Sequence, residues 1–194
     1  MKVLDCTLRD GGYYNFWDFS EAIAEVYFKS MEQLPVEVLE IGYRSRQQKE
    51  YLGKYFYCPL PVIEKVKKWA PSRKLAIMLN EKDCAPDDLD YLLEPCKGNV
   101  SMIRLAIAPA RFEQSLKTIE AIKKRGFEVG VNIMYMSTLT ADAPIFNNIH
   151  ALNDLVDVFS LVDSYGGIYP DQVKKIVCRC KEVIKVPMGF RSEE

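Results

Sequence analysis

Histidine is almost absent from this chain: His150 is the only one among 194 residues. A metal centre built on several imidazoles is therefore excluded, and so is a histidine-rich catalytic cluster. Charge of one sign is also lacking. The formal net charge is −1, which removes the electrostatic footprint of a nucleic-acid or anionic-membrane binder. No apolar run approaches the ~20 residues that span a bilayer. The start of the chain, Met1-Lys2-Val3-Leu4-Asp5, has no signal-peptide pattern. The six cysteines, at 6, 58, 84, 96, 178 and 180, form no C-x-x-C pair. They read as reduced thiols of a cytoplasmic protein, mostly core filler. Cys178 and Cys180 would point in different directions on a helix, so a zinc site is not expected there. There is no G-x-G-x-x-G, which removes the dinucleotide fingerprint.

What is present is alternation. Short apolar runs are expected as strands at residues 3–8, 36–41, 74–79, 100–108, 128–135, 158–162 and 186–190. Between them lie helical patterns at about 20–34, 61–69, 86–93, 111–125, 144–155 and 170–184. Pro61 and Pro170 sit at helix starts, where a missing N–H is harmless. Gly126 follows a basic turn and marks a helix stop. Near-continuous Val/Ile/Leu strands separated by helices mean a parallel sheet covered by helices. Apolar residues at 48% and charged residues at 27% suit a single globular domain over residues 1–194.

Two architectures fit: an open doubly wound sheet and a (β/α)8 barrel. Polar residues gather at the carboxyl ends of many strands: Arg9, Asp10, Glu40, Arg44, Asn80, Arg104, Asn132, Tyr135, Asp163 and Ser164. Chemistry spread in this way is the barrel habit. The expected fold is an α/β TIM-type barrel, incomplete in this chain, with about seven strand–helix units and the eighth missing. An uncovered parallel edge is an aggregation hazard, so homo-oligomer contacts near the first or last strand are expected.

The most informative string is Leu4-Asp5-Cys6-Thr7-Leu8-Arg9-Asp10-Gly11-Gly12. Arg9 can hold a developing oxyanion with a rigid fork of donors. Asp10 can ligate a hard cation. Gly11 and Gly12 would let the backbone turn sharply after a strand. The string resembles the aspartate-x-threonine-leucine-arginine-aspartate-glycine signature of the metal-dependent aldolase, lyase and acyl-CoA condensing barrels. That family includes 4-hydroxy-2-oxovalerate aldolase, 3-hydroxy-3-methylglutaryl-CoA lyase and the isopropylmalate and homocitrate synthases. Val38-Leu39-Glu40-Ile41-Gly42 and the stretch Leu161-Val162-Asp163-Ser164-Tyr165-Gly166-Gly167-Ile168-Tyr169-Pro170 extend the resemblance.

The resemblance implies that Arg9 stabilises an enolate and that Asp10 binds Mg²⁺ or Mn²⁺. It implies cleavage or formation of a C–C bond beside the carbonyl of a 2-oxo acid, such as pyruvate, or a related small carboxylate. Glu40, Arg104, Asn132, Tyr135 and Asp163 are the candidate substrate contacts. The departure lies at the last strand. The family carries two histidines there, whereas this chain reads Gly189-Phe190-Arg191-Ser192-Glu193-Glu194. Arg191 stands in the first ligand position and cannot bind a metal. Glu193 stands in the second and could offer oxygen. The family's aldolases use a histidine base near the first helix; here that region reads Tyr13-Tyr14-Asn15-Phe16-Trp17, and the base is unassigned.

Each candidate also has a plainer role. Arg9 and Asp10 could be a structural ion pair. Glu40 could be an interior carboxylate paired with Arg9 or Arg104. Arg104, flanked by Ile103 and Leu105, points opposite to them and would bind a carboxylate or an internal partner. Asn132 and Tyr135 could orient substrate or fill a polar mouth, and Asp163-Ser164 could cap a turn. Tyr51, Tyr55, Phe56 and Tyr57 could form a lid, pack a long loop or make a subunit contact. No lysine ends a strand, which disfavours Schiff-base chemistry. The alternative to an aldolase-like enzyme is a catalytically silent barrel that binds a small anion or a partner chain.

Overall fold

The computed structural model describes residues 2–140 and 142–192. Strands and helices alternate along the chain: β1 (Leu4–Asp5), α1 (Thr7–Asn15), α2 (Glu21–Gln33), β2 (Val38–Tyr43), α3 (Lys54–Tyr57), α4 (Leu60–Trp69) and β3 (Lys74–Asn80). They continue with α5 (Leu89–Leu93), β4 (Met102–Ile107), α6 (Phe112–Lys124), β5 (Glu128–Ile133), α7 (Ile145–Asn148), β6 (Val158–Asp163), α8 (Pro170–Val183) and β7 (Met188–Ser192). Strand order in the sheet follows chain order from β1 to β7. The β1–β2, β2–β3, β5–β6 and β6–β7 pairings are parallel. A doubly wound sheet reverses its order at a switch point. This one does not, so an α/β fold consistent with seven strands of a TIM-type barrel is the architecture that remains. No described helix is long and apolar enough to cross a membrane.

The chain forms two compact units. One holds the described residues up to Leu79 together with Asp83–Ile103; the other holds Asn80–Lys82 and the described residues from Arg104 onward. In the first unit every residue of β2 is buried, as a strand covered on both faces requires. Ser20 caps α2 by accepting from the Ile23 amide at 3.3 Å, the use expected of serine at that position. Tyr55, almost wholly buried, sits against Phe28, while Phe56 touches Trp17 and Tyr43. Tyr55 and Phe56 therefore pack within this unit, while Tyr51 is exposed. In the second unit the apolar faces of β5 and β6 are buried, and Gly126 ends α6 with a φ of 85°. Cys58, Cys84, Cys96 and Cys180 are buried free thiols, Cys6 is half-buried and Cys178 is exposed.

The first strand departs from expectation. It stops at Asp5, and residues 7–15 form a helix, so Arg9 and Asp10 sit in a helical first turn and not at a strand end. The cause is local. The Asp5 carboxylate accepts from the Thr7 amide and the Thr7 hydroxyl, each at 3.0 Å, and this side-chain turn breaks the extended backbone. The two glycines are accordingly not a turn but lie within α1. Gly12 is there for space, since a Cβ at this position would lie 2.0 Å from the Trp17 ring. The helix ends on Phe16 and Trp17, both left-handed at φ 57° and 58°. That backbone is unfavourable for such side chains. Burial of the Trp17 indole and its N–H bond to the Arg9 carbonyl at 2.8 Å offset it.

The patterns at residues 86–93 and 144–155 are only partly α-helical; Pro86–Asp88 and Ile149–Asp154 are 3₁₀ turns. Side chains fix both. Asp88 accepts from the Ala85 amide at 2.9 Å. Asn153 bridges to the Val183 carbonyl and the Lys185 amide, each at 2.8 Å.

Two glycine substitutions separate space from helix propensity. Gly11→Ala meets only an ordinary contact, 3.6 Å from the Phe19 ring, and should raise stability by about 0.5–1 kcal/mol. Gly12→Ala should lower it by about 1–3 kcal/mol, because overpacking outweighs the propensity gain. Urea unfolding of both variants checks the opposite signs.

Candidate functional site

The first unit gathers a polar cluster around Arg9, which is 3% exposed. The guanidinium Nε donates to Glu40 Oε1 at 2.6 Å, and Nη1 donates to Asp10 Oδ1. The Nη2 nitrogen has no hydrogen-bond partner among the described residues. Glu40, on β2, is buried as well. The guanidinium lies over the Tyr43 ring, 5.8 Å from its centroid. The Tyr43 hydroxyl meets the Tyr13 hydroxyl at 2.9 Å. Cys6 Sγ donates to the other oxygen of Asp10 at 3.1 Å.

The charges follow from these contacts. Burial works against a charged guanidinium, but Glu40, Tyr43 and Asp10 more than offset it and hold Arg9 charged. Burial pushes the Tyr43 phenol above its ordinary range, so it stays neutral. Burial, then the Asp10 charge, pushes the Cys6 thiol up to about 12; Cys6 is a proton donor to Asp10 and no nucleophile. The result is a fixed cation, bound on two sides by carboxylates, with one nitrogen left to donate. Such a group can stabilise charge that develops on an oxygen.

Glu40 pairs with Arg9. Arg44 is a structural clamp: it is buried, and its guanidinium donates to the carbonyls of Leu92 and Tyr57 at 2.6 Å and of Tyr91 at 3.2 Å.

The second unit carries a further set of polar residues. Arg104 on β4 donates from Nη2 to Asn132 Oδ1 on β5 at 2.8 Å, and both are buried. Asp163 is buried at the end of β6, where its Oδ2 accepts from the Ile168 amide at 3.1 Å. It closes the turn after the strand. Ser164 Oγ accepts from the Tyr135 amide at 3.0 Å, and the Tyr135 ring stacks on Tyr165 with centroids 5.4 Å apart. Tyr135 and Ser164 thus join two loops. Glu81 and Arg111 form a further pair, bonded through two guanidinium nitrogens. Ser160 was not singled out from sequence; its signal was being the one hydroxyl inside the apolar run at 158–162. Tyr43 and Trp17 were not singled out either, since their relation to Arg9 depends on packing.

The described residues do not suit the divalent cation that the resemblance implies. The Asp10 carboxylate is already engaged by Arg9 and Cys6. Among the described residues no group of three or more His, Cys, Asp or Glu is placed to hold a metal. Arg191 occupies β7, and Glu193 lies outside the described residues.

Comparison with known proteins agrees with this picture in part. No protein-family model matches the chain. It is 22% identical over 195 residues to 4-hydroxy-2-oxovalerate aldolase of Geobacillus genomosp. 3, covering 99% of this chain and 57% of that protein. It is 24% identical over 207 residues to the same-named protein of Pelotomaculum thermopropionicum, covering 99% and 56%. The chain thus spans a little over half the length of these curated relatives. Among solved structures it is similar to the "N-terminal domain of a putative aldolase from Bacteroides vulgatus", at 44% identity and a TM-score of 0.94, covering 98% of this chain and 63% of that one. The carboxyl transferase domain of Rhizobium etli pyruvate carboxylase superposes with a TM-score of 0.75 at 16% identity, covering 98% of this chain and 35% of that one. That likeness shows a shared fold. Aldolases are the class to which the sequence likenesses point.

Removing one partner of a buried ion pair strands the other. Glu40→Ala should therefore cost about 3–5 kcal/mol of stability in urea unfolding. The thiols set an alkaline limit. Cys6, Cys96 and Cys180 rise from an ordinary 9.0 to about 12 in the folded chain, chiefly through burial. Their contribution to stability is full below pH 9 and is lost as pH climbs toward 12, because the unfolded chain releases those protons first. Thermal melts between pH 8 and about 11 should show a falling Tm, and Cys180→Ser should flatten the fall.

Proposed function

We propose that the Arg9 cluster stabilises the enolate of a 2-oxo acid or related small carboxylate, in aldolase- or lyase-like making or breaking of a C–C bond. The observation that carries this reading is the buried, charged Arg9 with one guanidinium nitrogen left without a hydrogen-bond partner among the described residues. The aldolase-named relatives support it.

The hard step is loss of a carbon-bound proton beside a carbonyl to solvent water, which leaves the C–H electron pair delocalised onto the carbonyl oxygen. Arg9 Nη2 would donate to that oxygen as it becomes negative. Glu40 would keep the guanidinium from rotating, and Asp10 would fix its other edge. Tyr43, neutral, would hold the face of the guanidinium and the Tyr13 hydroxyl. No step is assigned to a metal, because the described donors do not form a site for one. Arg104, Asn132, Tyr135 and Asp163 are proposed as carboxylate-facing or loop-fixing groups of the second unit.

A second reading is a catalytically silent fold that binds a small anion. One feature favours it: Tyr43 and Cys6 both hold their protons tightly, and the Asp10 and Glu40 carboxylates are engaged with the Arg9 guanidinium.

Exchange of the methyl protons of pyruvate for solvent deuterium separates the two. The first reading expects exchange followed by NMR, with and without added Mn²⁺, and a drop of about 10²–10³-fold in Arg9→Lys. Binding of pyruvate with no exchange above background supports the silent domain and overturns the enolate reading.

A further inference from the structure

Apart from the Arg9 cluster, the first unit holds a cavity of about 70 Å³ lined by Lys54 and Tyr55 of α3 and by Pro61, Val62, Lys65 and Trp69 of α4. Local sequence builds it. Pro61, Lys65 and Trp69 are spaced four residues apart, so they share one face of α4. The Trp69 ring lies nearly parallel to Phe28 of α2, with centroids 6.3 Å apart, and this contact holds it in place. Most of the lining is hydrocarbon: two aromatic rings, Val62, Pro61 and the stems of the lysines.

The polar groups at this apolar surface are of one kind. Tyr55 is 1% exposed, and its hydroxyl has no hydrogen-bond partner among the described residues. Burial, then Cys58 and Glu21, push the phenol above its ordinary range, so it keeps its proton and can donate. A buried hydroxyl destabilises the fold unless an acceptor reaches it. Lys65 is committed, since its Nζ donates to both oxygens of Glu21 at 2.7 and 2.6 Å. The Lys54 ammonium lies over the Tyr55 ring, 5.7 Å from its centroid, and acts on Glu21 more weakly than Lys65 does. Two ammoniums against one carboxylate leave a net positive charge, and it resides on the side chain that covers Tyr55.

We propose that this cavity binds a short apolar carboxylic acid, with its hydrocarbon body against Pro61, Val62 and Trp69 and its carboxylate between the Tyr55 hydroxyl and the Lys54 ammonium. Charge complementarity sets the sign of the ligand, because the spare groups are a cation and a hydroxyl donor. The volume sets its size: there is room for a few carbon atoms and none for a nucleotide or a long acyl chain. The site uses no residue of the Arg9 cluster and does not depend on the enolate reading. Its ligand also differs from pyruvate, whose single methyl group would leave most of the apolar lining uncovered.

Titration calorimetry of the full chain with 3-methylbutanoate tests the site. Saturable binding in the millimolar range is expected for so small a ligand. Acetate and pyruvate, which lack the branched body, should bind about 10-fold more weakly or not at all at this site. Tyr55→Phe keeps the ring and removes only the hydroxyl; it should weaken binding by about 10-fold. Lys54→Gln decides the matter if Tyr55→Phe fails to fold, and a loss of about 2–5-fold is expected. Arg9→Lys should leave the affinity for 3-methylbutanoate unchanged. No saturable binding by the wild type overturns the proposal, as does wild-type affinity in both Tyr55→Phe and Lys54→Gln. Binding that survives in those two variants but vanishes in Arg9→Lys places the acid at the Arg9 cluster and overturns it as well.

Discussion

The buried pairing of Arg9 with Glu40 is the constraint around which the first unit is arranged. A guanidinium at that depth is tolerable only with carboxylates against it. Glu40 reaches it from β2 and Asp10 from the next position on α1. With two edges committed, the side chain has no rotational freedom, and the remaining nitrogen is aimed by the fold. An arginine so fixed needs no reorganisation when charge appears on a neighbouring oxygen, which is the physical basis of electrostatic preorganisation.

Holding Arg9 in place depends on how α1 is folded. The helix contains two glycines and ends on two left-handed residues, so its intrinsic stability is low. Tertiary contacts make up the difference. The Trp17 ring fills the space beside Gly12 and bonds the Arg9 carbonyl, and the Gly53 amide donates to Phe16 at 2.7 Å. The strained turn and the glycine are thus one device: the turn brings the indole back, and the missing side chain admits it.

Much of the fold was legible because apolar runs in a parallel sheet are buried on both faces and leave a plain record in the chain. β2, β3, β5 and β6 lie within two residues of expectation, and Ser20, Pro170 and Gly126 punctuate helices as their chemistry suggests. The error at residues 3–8 has an equally plain cause. Leu4 and Leu8 look like strand residues, and only the Asp5 carboxylate capturing Thr7 turns the chain at residue 6. At the candidate site, residue types were legible and partnerships were not. Glu40 was open between Arg9 and Arg104. Asp163 was open between substrate contact and capping a turn, and Tyr135 between orienting substrate and filling a polar mouth; in the structure Asp163 accepts from the Ile168 amide and the Tyr135 amide donates to Ser164.

Residue chemistry alone determined that this chain makes a layered α/β fold of alternating strands and helices. It also determined that an arginine–aspartate string lies at residues 9 and 10 and that histidine is nearly absent. These follow from composition and local order, which no folding can alter. Tertiary structure decided that Arg9 belongs with Glu40, that Gly12 makes room for Trp17, and that Ser160 stands in register with Asn132. Such pairings join residues 5 to 31 positions apart, so they depend on strand register and on which atoms remain unpaired once the backbone has closed.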